Sequence, residues 1–283
     1  MTDAAELLSE REFDFTDRHF QFLRKMVGEH AGINLGEAKR ELVYGRIARR
    51  LRALGMRSFD DYCRLLEEAP DGEIGNFINA ITTNLTAFFR EEHHFDFLRE
   101  TLIPAWLARG SRPRVRIWSA GCSTGEEPYS LAMTLREHMP ASALADVAIL
   151  ATDIDTNVLA HAEAGVYDAA RVENLPRARL QQWFKRGRGD NADRVRVVPE
   201  LQQLIRFRQL NLMQDWPVKG PLDLIVCRNV VIYFDKPTQR RLFARFADKL
   251  APRGHLIIGH SETLYNVSEA FELVGRTVYR KLN

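Results

Sequence analysis

Residues 116–132 read RIWSAGCSTGEEPYSLA, and the reading of this stretch decides the fold. Apolar residues from Val115 to Ser119 form a strand-like run, Gly121 and Gly125 flank a tight turn at Cys122, Ser123 and Thr124, and a helix is expected from near Glu126. A strand that passes through a glycine-containing turn into a helix is the opening unit of an open α/β sheet. In such sheets ligands sit outside the carboxyl ends of the strands, and glycine lets the backbone approach them closely. Neither GxGxxG nor GxxxxGK[ST] is present, so the turn carries no phosphate grip and by itself names no ligand.

Working outward, apolar strands alternate with amphipathic helices from Arg112 onward. Strands are expected at 115–119, 147–152, 205–209, 222–227 and 255–259, with a closing antiparallel pair near 271–273 and 277–281 around Gly275. This is the pattern of a mostly parallel sheet covered on both faces. Between 165 and 210 the alternation fails. A short helix (177–184), a glycine-containing loop (186–193) and the period-two run Arg194, Val195, Arg196, Val197 predict an inserted antiparallel β-subdomain at about 166–209.

Upstream of 80 the chain reads as helices alone. Thr16 can cap a helix carrying Phe20, Leu23 and Val27 that Gly32 stops; a second runs from 37 to 54 and ends at Gly55. Ser58 and Asp61 open a third, and Pro70, Asp71 and Gly72 are expected to break the chain before a fourth through Phe77, Ile78 and Ile81. The resulting division is a helical domain at 1–80, a linker at 81–112 and the α/β domain at 113–283.

The chemistry-bearing residues gather at one edge of the expected sheet. Asp153 ends the second strand, where a carboxylate can accept hydrogen bonds from vicinal ribose hydroxyls, whereas Asp155 suits the cap of the next helix. Asn211 and Asn229 follow the third and fourth core strands, and a carboxamide both donates and accepts, as an adenine edge or an amino-acid head group requires. Each asparagine alone also fits a turn. With Gly121 and Glu127 they point to a nucleoside cofactor lacking a pyrophosphate, namely S-adenosylmethionine.

The whole chain bounds the alternatives. It has 283 residues, 45% hydrophobic and 28% charged, with a net charge of +2, which excludes a disordered chain and a global basic field for nucleic acid. The acidic start MTDAAELLSERE and the short, charge-interrupted run LDLIVCRNVVIYF give no signal peptide and no membrane span. Cys63, Cys122 and Cys227 form no CxxC, so neither a zinc ribbon nor a disulfide framework is expected, and a reducing cytoplasm is the expected compartment.

The strings ITTNLTAFFREEHHF, IWSAGCSTGEEPYSLA, ATDIDTNVL, NLM, CRNVVIYFDK and GHSE, in this order, resemble the CheR-type chemotaxis receptor methyltransferases from about residue 15 to the end. The resemblance implies a helical amino-terminal domain that docks on receptors, a linker contributing to the cofactor site, and a seven-stranded Rossmann-like S-adenosylmethionine-dependent domain with an inserted β-subdomain. It places cofactor contacts on Asn84, Thr86, Arg90, Glu127, Asp153, Asn211, Leu212, Asn229 and Val230, and sets Arg90 and Tyr233 nearest the reacting methyl. The implied reaction makes a methyl ester on a receptor glutamate and releases S-adenosylhomocysteine, with no metal.

A glutamate carboxylate is already ionised at neutral pH, so placement rather than a general base is what the site must supply. The Asn/Asp-Pro-Pro-aromatic string of nitrogen methylation is absent; Arg228 to Tyr233 stand in its place. Lys39, Arg46, Arg49 and Arg50 share one helix face, either solvated or, under the resemblance, docking the acidic methylation helices through Arg46, Arg49 and Arg50. Under the same resemblance the inserted subdomain is expected to bind a receptor's carboxyl-terminal tail peptide by strand addition at Arg186, Gly187, Gly189 and Arg196. No nucleic-acid partner is expected, and a monomer is. His93 and His94 are adjacent and offer poor metal geometry, and His260, Ser261 and Glu262 cannot form a triad by themselves. The alternatives are a non-catalytic cofactor-binding signalling module, or a methyltransferase acting on another protein or on a small-molecule carboxylate.

Overall fold

The structure is a computed structural model that describes residues 11–68 and 70–282. Most of the acidic amino-terminal run, residues 1–10, lies outside the described residues. The chain divides between Thr83 and Asn84 into two compact units.

The first unit is helical. Helix α1 (Asp17–Ala31) starts at a capping box in which Thr16 and His19 satisfy each other's backbone N–H groups, and stops at Gly32 with φ +71°. A 3-10 turn (Glu37–Lys39) leads into α2 (Arg40–Leu54), closed by Gly55 at φ +66°. Helices α3 (Phe59–Glu68) and α4 (Pro70–Ile81) complete the unit. Pro70 begins α4 instead of breaking the chain, because a first-turn residue has no intrahelical use for its N–H. Phe20, Leu23, Ile47, Leu51, Phe59, Tyr62, Leu66 and Phe77 are fully buried and form its core.

The second unit opens with α5 (His93–Phe97), a π-helical segment (Leu98–Leu102) and α6 (Ile103–Leu107). Strand β1 (Val115–Ala120) runs into α7 (Glu126–His138), and β2 (Val147–Asp153) into α8 (Thr156–Ala164). Then come β3 (Val166–Asp168), α9 (Arg177–Trp183), β4 (Phe184–Arg186), β5 (Arg194–Val197), α10 (Pro199–Gln202) and β6 (Ile205–Gln209). The chain continues through β7 (Leu222–Cys227), α11 (Lys236–Lys249), β8 (Leu250–Ile258), β9 (Phe271–Gly275) and β10 (Val278–Lys281).

The main sheet has seven strands in the order β6-β2-β1-β7-β8-β10-β9, parallel except for β10, which pairs antiparallel with both neighbours. β7 is buried at every position, as a central strand covered on both faces must be. A separate three-stranded antiparallel sheet, order β3-β5-β4, is the inserted subdomain. Its strands span 166–197, whereas β6 pairs with β2 in the main sheet, so the expected insertion bound of 209 runs too far. The expected linker divides at Thr83: from Asn84 on it belongs to the second unit, where Phe88, Phe95, Leu98, Leu102, Ile103 and Trp106 are buried in the core beside Val115 and Ile117. Apolar side chains at this density pay the entropic cost of ordering the segment, which composition alone did not reveal.

Candidate active site at the carboxyl edge of the sheet

Strands β2, β1 and β7 lie side by side, and their carboxyl ends Asp153, Ala120 and Cys227 open on one edge. The turn after β1 is tied to β2 by Gly121 and Cys122, whose N–H groups both donate to the Thr152 carbonyl, at 2.8 and 2.9 Å. Gly121 has φ +87°, and a Cβ there would clash with Val230 Cγ2. Two loops from different strands therefore meet at Gly121, which accounts for this glycine through the contact with Val230.

Asp153 is buried at the expected strand end. Its Oδ2 accepts the Ser123 N–H at 2.8 Å and its Oδ1 the Asp155 N–H at 3.0 Å, which leaves lone pairs on both oxygens for a diol. Burial pushes its pKa up against these backbone bonds. Asp155 caps α8 as expected, accepting from Asn157 N at 2.9 Å, and also takes Asn84 Nδ2 at 2.8 Å. Asn84 is thereby tied to the site, and its carbonyl accepts from Ser123 Oγ at 3.1 Å. The Thr86 carbonyl accepts from Arg171 at 3.0 Å, and that guanidinium also bonds the buried Glu126.

Glu127, in the first turn of α7, is buried. It accepts from Ser119 Oγ at 2.7 Å and Arg228 Nη1 at 3.3 Å, and burial raises its pKa while Arg228 opposes the rise. Asn211 uses its carboxamide oxygen on the Met213 N–H at 2.9 Å, and Leu212 buries its side chain in the core with Trp216, so this pair is engaged with the fold as well as standing beside β2. Asn229 has a left-handed backbone (φ +59°) and donates its N–H to Glu262 at 3.0 Å. Tyr233 ends the 3-10 turn Val231–Tyr233, half-buried against the core that contains Trp118, Trp216 and Phe246, and its hydroxyl has no partner among the described residues.

Arg90 donates to the Leu85 carbonyl at 2.8 Å and stands between Phe89 and Glu91, both with positive φ (+53° and +57°). Each such conformation costs about 1–3 kcal/mol for a residue other than glycine.

Three residues of this edge escape the sequence reading. Arg228 is buried and bonds Glu127 and the Arg90 carbonyl; the signal was a cation inside the apolar run CRNVVIYF. Glu91 sits 3.6 Å from Arg228 and takes His260 Nδ1 at 2.9 Å; these partners hold its pKa down although burial alone would raise it. Glu262 accepts three backbone N–H groups, from Asn229, Ile232 and Gly259. With His260 on Glu91 and Glu262 on the backbone, the HSE run forms no relay.

Adjacency did not keep His93 and His94 apart. Their ring centroids are 4.1 Å from each other, and with Glu91 they bring ligand-type atoms within 4.8 Å, because side-chain torsions decide where adjacent rings end. The Arg228 guanidinium already faces Glu91 there and opposes a second cation. Cys122 and Cys227 are buried and burial pushes both thiols up, as fits packing residues.

The predicted docking stripe splits. Arg50 makes a two-pronged bond to the buried Glu73 at 2.5 and 2.6 Å, and Arg46 bonds the Ile81 and Thr82 carbonyls and Thr83 Oγ1. Both are committed within the helical unit, since a guanidinium satisfies buried acceptors better than it serves a solvated face. Lys39 and Arg49 remain exposed with no partner among the described residues. In the insertion, Arg186 bonds the Ala192 carbonyl at 3.1 Å and Gly187 donates to the Arg194 carbonyl at 2.9 Å. Gly189 turns the loop at φ +57°, and Arg196 is exposed on β5 beside the edge strand β4.

The lone pairs left on the Asp153 carboxylate and a cradle closed by Gly121 and Val230 fit a nucleoside. No helix among the described residues is long and apolar enough to cross a membrane.

Comparison with known proteins identifies the family. The family described as "CheR methyltransferase, SAM binding domain" matches residues 84–280, and "CheR methyltransferase, all-alpha domain" matches 18–82. The chain is 49% identical over 273 residues to "Chemotaxis protein methyltransferase 2" of Pseudomonas aeruginosa, covering 95% of both chains. It is 47% identical to the "Chemotaxis protein methyltransferase" of Klebsiella aerogenes (93% of this chain, 89% of that one) and 45% to that of Escherichia coli (93% and 91%).

Proposed function

The chain belongs to the CheR methyltransferase family and is an S-adenosylmethionine-dependent methyltransferase of chemotaxis, and from that premise we propose that it esterifies glutamate side chains on the methylation helices of chemoreceptors. The observation that carries the reading is the gathering of Glu127, Asp153, Asn229 and Arg90 at the carboxyl ends of β1, β2 and β7.

Asp153 would hold the ribose hydroxyls, Asn84, Thr86 and the Asn211–Leu212 and Asn229–Val230 pairs would line the nucleoside, and Glu127 the amino-acid head. When bound, S-adenosylmethionine supplies a methyl group on a positively charged sulfur. The chain's own residues do the placing. Arg90 grips a carboxylate through its guanidinium, and Tyr233 offers an unpartnered hydroxyl from the neighbouring turn. Because the acceptor carboxylate is ionised at neutral pH, no side chain has to remove a proton, and orientation can supply roughly 7–11 kcal/mol of the barrier. Glu262, buried and bonded to three backbone N–H groups, is a structural carboxylate in this scheme.

Receptor docking falls to the exposed Arg49 and Lys39. A receptor tail peptide adding to the β4 edge would meet Arg186 and Arg196, with the enzyme acting as a cytoplasmic monomer. Transfer of a radiolabelled methyl from S-adenosylmethionine to chemoreceptor-containing membranes tests the reaction. Label released as methanol in mild base is the expected result; base-stable label would overturn the ester.

A further inference from the structure

Phe89 and Glu91 hold left-handed backbones on either side of Arg90. Such conformations in residues other than glycine persist only where the surroundings over-determine them. Building on the reading of Arg90 as the residue that grips a carboxylate beside the methyl, we propose that Arg228 is a positioning residue that sets the Arg90 side chain by locking the peptide on its carboxyl side.

The Arg228 side chain is only 3% exposed and joins three segments. Its Nη2 donates to the Arg90 carbonyl and stands 3.6 Å from Glu91 Oε2, and its Nη1 donates to Glu127 Oε2 at 3.3 Å. The Phe95 ring lies 5.8 Å away. The Arg90 carbonyl belongs to the peptide that joins Arg90 to Glu91, so this bond fixes ψ of Arg90 and φ of Glu91 together. Glu91 is held from its other side by His260, through Nδ1 at 2.9 Å and the backbone N–H at 3.2 Å.

The amino side is fixed independently: the Arg90 N–H, in the peptide that joins Phe89 to Arg90, donates to the Ala87 carbonyl at 3.3 Å, and the next peptide back is held as well. Phe89 N–H donates to Ser130 Oγ at 2.9 Å, and that hydroxyl donates to the Glu126 carbonyl at 2.6 Å. Arg90 is therefore clamped at both ends, while its guanidinium spends one donor on Leu85 and has no other partner among the described residues. The clamp is rigid and the reaching group is free, which is the arrangement a substrate-positioning arginine needs. Lysine could neutralise Glu91 or Glu127 but offers a point charge in place of the planar fork that reaches both carboxylates and the carbonyl at once.

The test is a double-mutant cycle of Arg90→Ala and Arg228→Lys, read as kcat and KM for methyl transfer to chemoreceptor-containing membranes, with melting temperatures taken alongside. Arg228→Lys is expected to lower kcat about tenfold while changing KM for S-adenosylmethionine by less than about threefold. In the Arg90→Ala background it should change kcat by less than about twofold, because its target is gone. Multiplicative effects would overturn the proposal and leave the role of Arg90 standing. Near-normal kcat in Arg90→Ala would instead overturn the role of Arg90, and the proposal with it. If Arg228→Lys does not fold, Glu91→Gln, which keeps the side-chain shape and weakens the pairing with Arg228, takes its place in the same cycle with the same non-additivity expected.

Discussion

Glu262 accepts the backbone N–H of Asn229 at 3.0 Å, and the same carboxylate takes Gly259 N–H at 2.6 Å and Ile232 N–H at 3.2 Å. One buried side chain after β8 thus shapes the loop after β7. Glutamine at 262 would turn an NH2 group toward N–H donors, so Glu262→Gln should weaken S-adenosylmethionine binding by about 1–3 kcal/mol. Calorimetric titration checks this; unchanged affinity would mean that the loop holds its form without Glu262.

Asp153 carries the ribose assignment. Asp153→Ala removes the acceptor for the cofactor and also strands the N–H groups of Ser123 and Asp155. Cofactor affinity should fall by about 1–3 kcal/mol. Normal calorimetric affinity in that variant would sink the assignment.

Two neighbouring arginines of α2 should separate docking from folding. Arg49→Glu is expected to raise the receptor KM severalfold and leave KM for S-adenosylmethionine unchanged, since exposed charge acts on encounter. Arg50→Ala abandons the buried Glu73 carboxylate, which Arg50 and Tyr62 hold below its usual pKa against burial, and should cost the helical unit about 3 kcal/mol. Chemical denaturation reads the second effect, and a kinetic titration of receptor membranes reads the first.

His94 gives a pH dependence with a definite sign. Burial first, then the positive charge of Arg228, pushes its pKa down to about 3, from an ordinary value of 6.5. The unfolded chain therefore binds a proton that the folded chain does not, and His94 costs about 1.4 kcal/mol of stability per pH unit as pH falls from 6.5 toward 3. The buried carboxyls of Glu127, Asp153 and Glu262, with raised pKa values, work in the opposite direction. A comparison isolates the histidine: the melting temperature of the native protein should fall relative to His94→Gln between pH 6.5 and 4.5. A constant gap would show that His94 does not titrate as described.

Gly121→Ala should impair the site through backbone and contact together, because φ is +87° and the new Cβ would press on Val230 Cγ2. Adding Val230→Ala removes the clash and keeps the strained φ, so recovery of cofactor binding should be partial. Full recovery would assign the whole effect to the contact.

Much of this was legible in the sequence because it is periodic or local. The strands at 205–209 and 222–227 are where alternation and apolar runs put them, and Thr16, Gly32, Gly55 and Asp155 cap helices as their neighbours in sequence suggest. What was not legible depends on partners far apart in the chain. Arg50 looked like a solvated cation because Glu73, a whole helix away, was invisible to a helical-face argument. Arg228 and Glu91 lie more than a hundred residues apart, and Glu262 owes its role to backbone amides that leave no trace in residue identity. The segment from Asn84 to Trp106 read as a connector because its apolar side chains match no single strand or helix period, the π-helical segment within it included.

The order of the last strands has a consequence for how the molecule is made. β10 lies between β8 and β9 in the sheet, so β9, although synthesised first, has no strand to join until β10 exists. For that interval the outer edge of β8 is bare, with its unpaired backbone groups open to any passing strand. Birth order and assembly order are therefore reversed at this end of the sheet. A released chain that stopped at Gly275 would keep that edge of β8 bare, so the last strand to be made is the one that seals the sheet against edge-to-edge pairing.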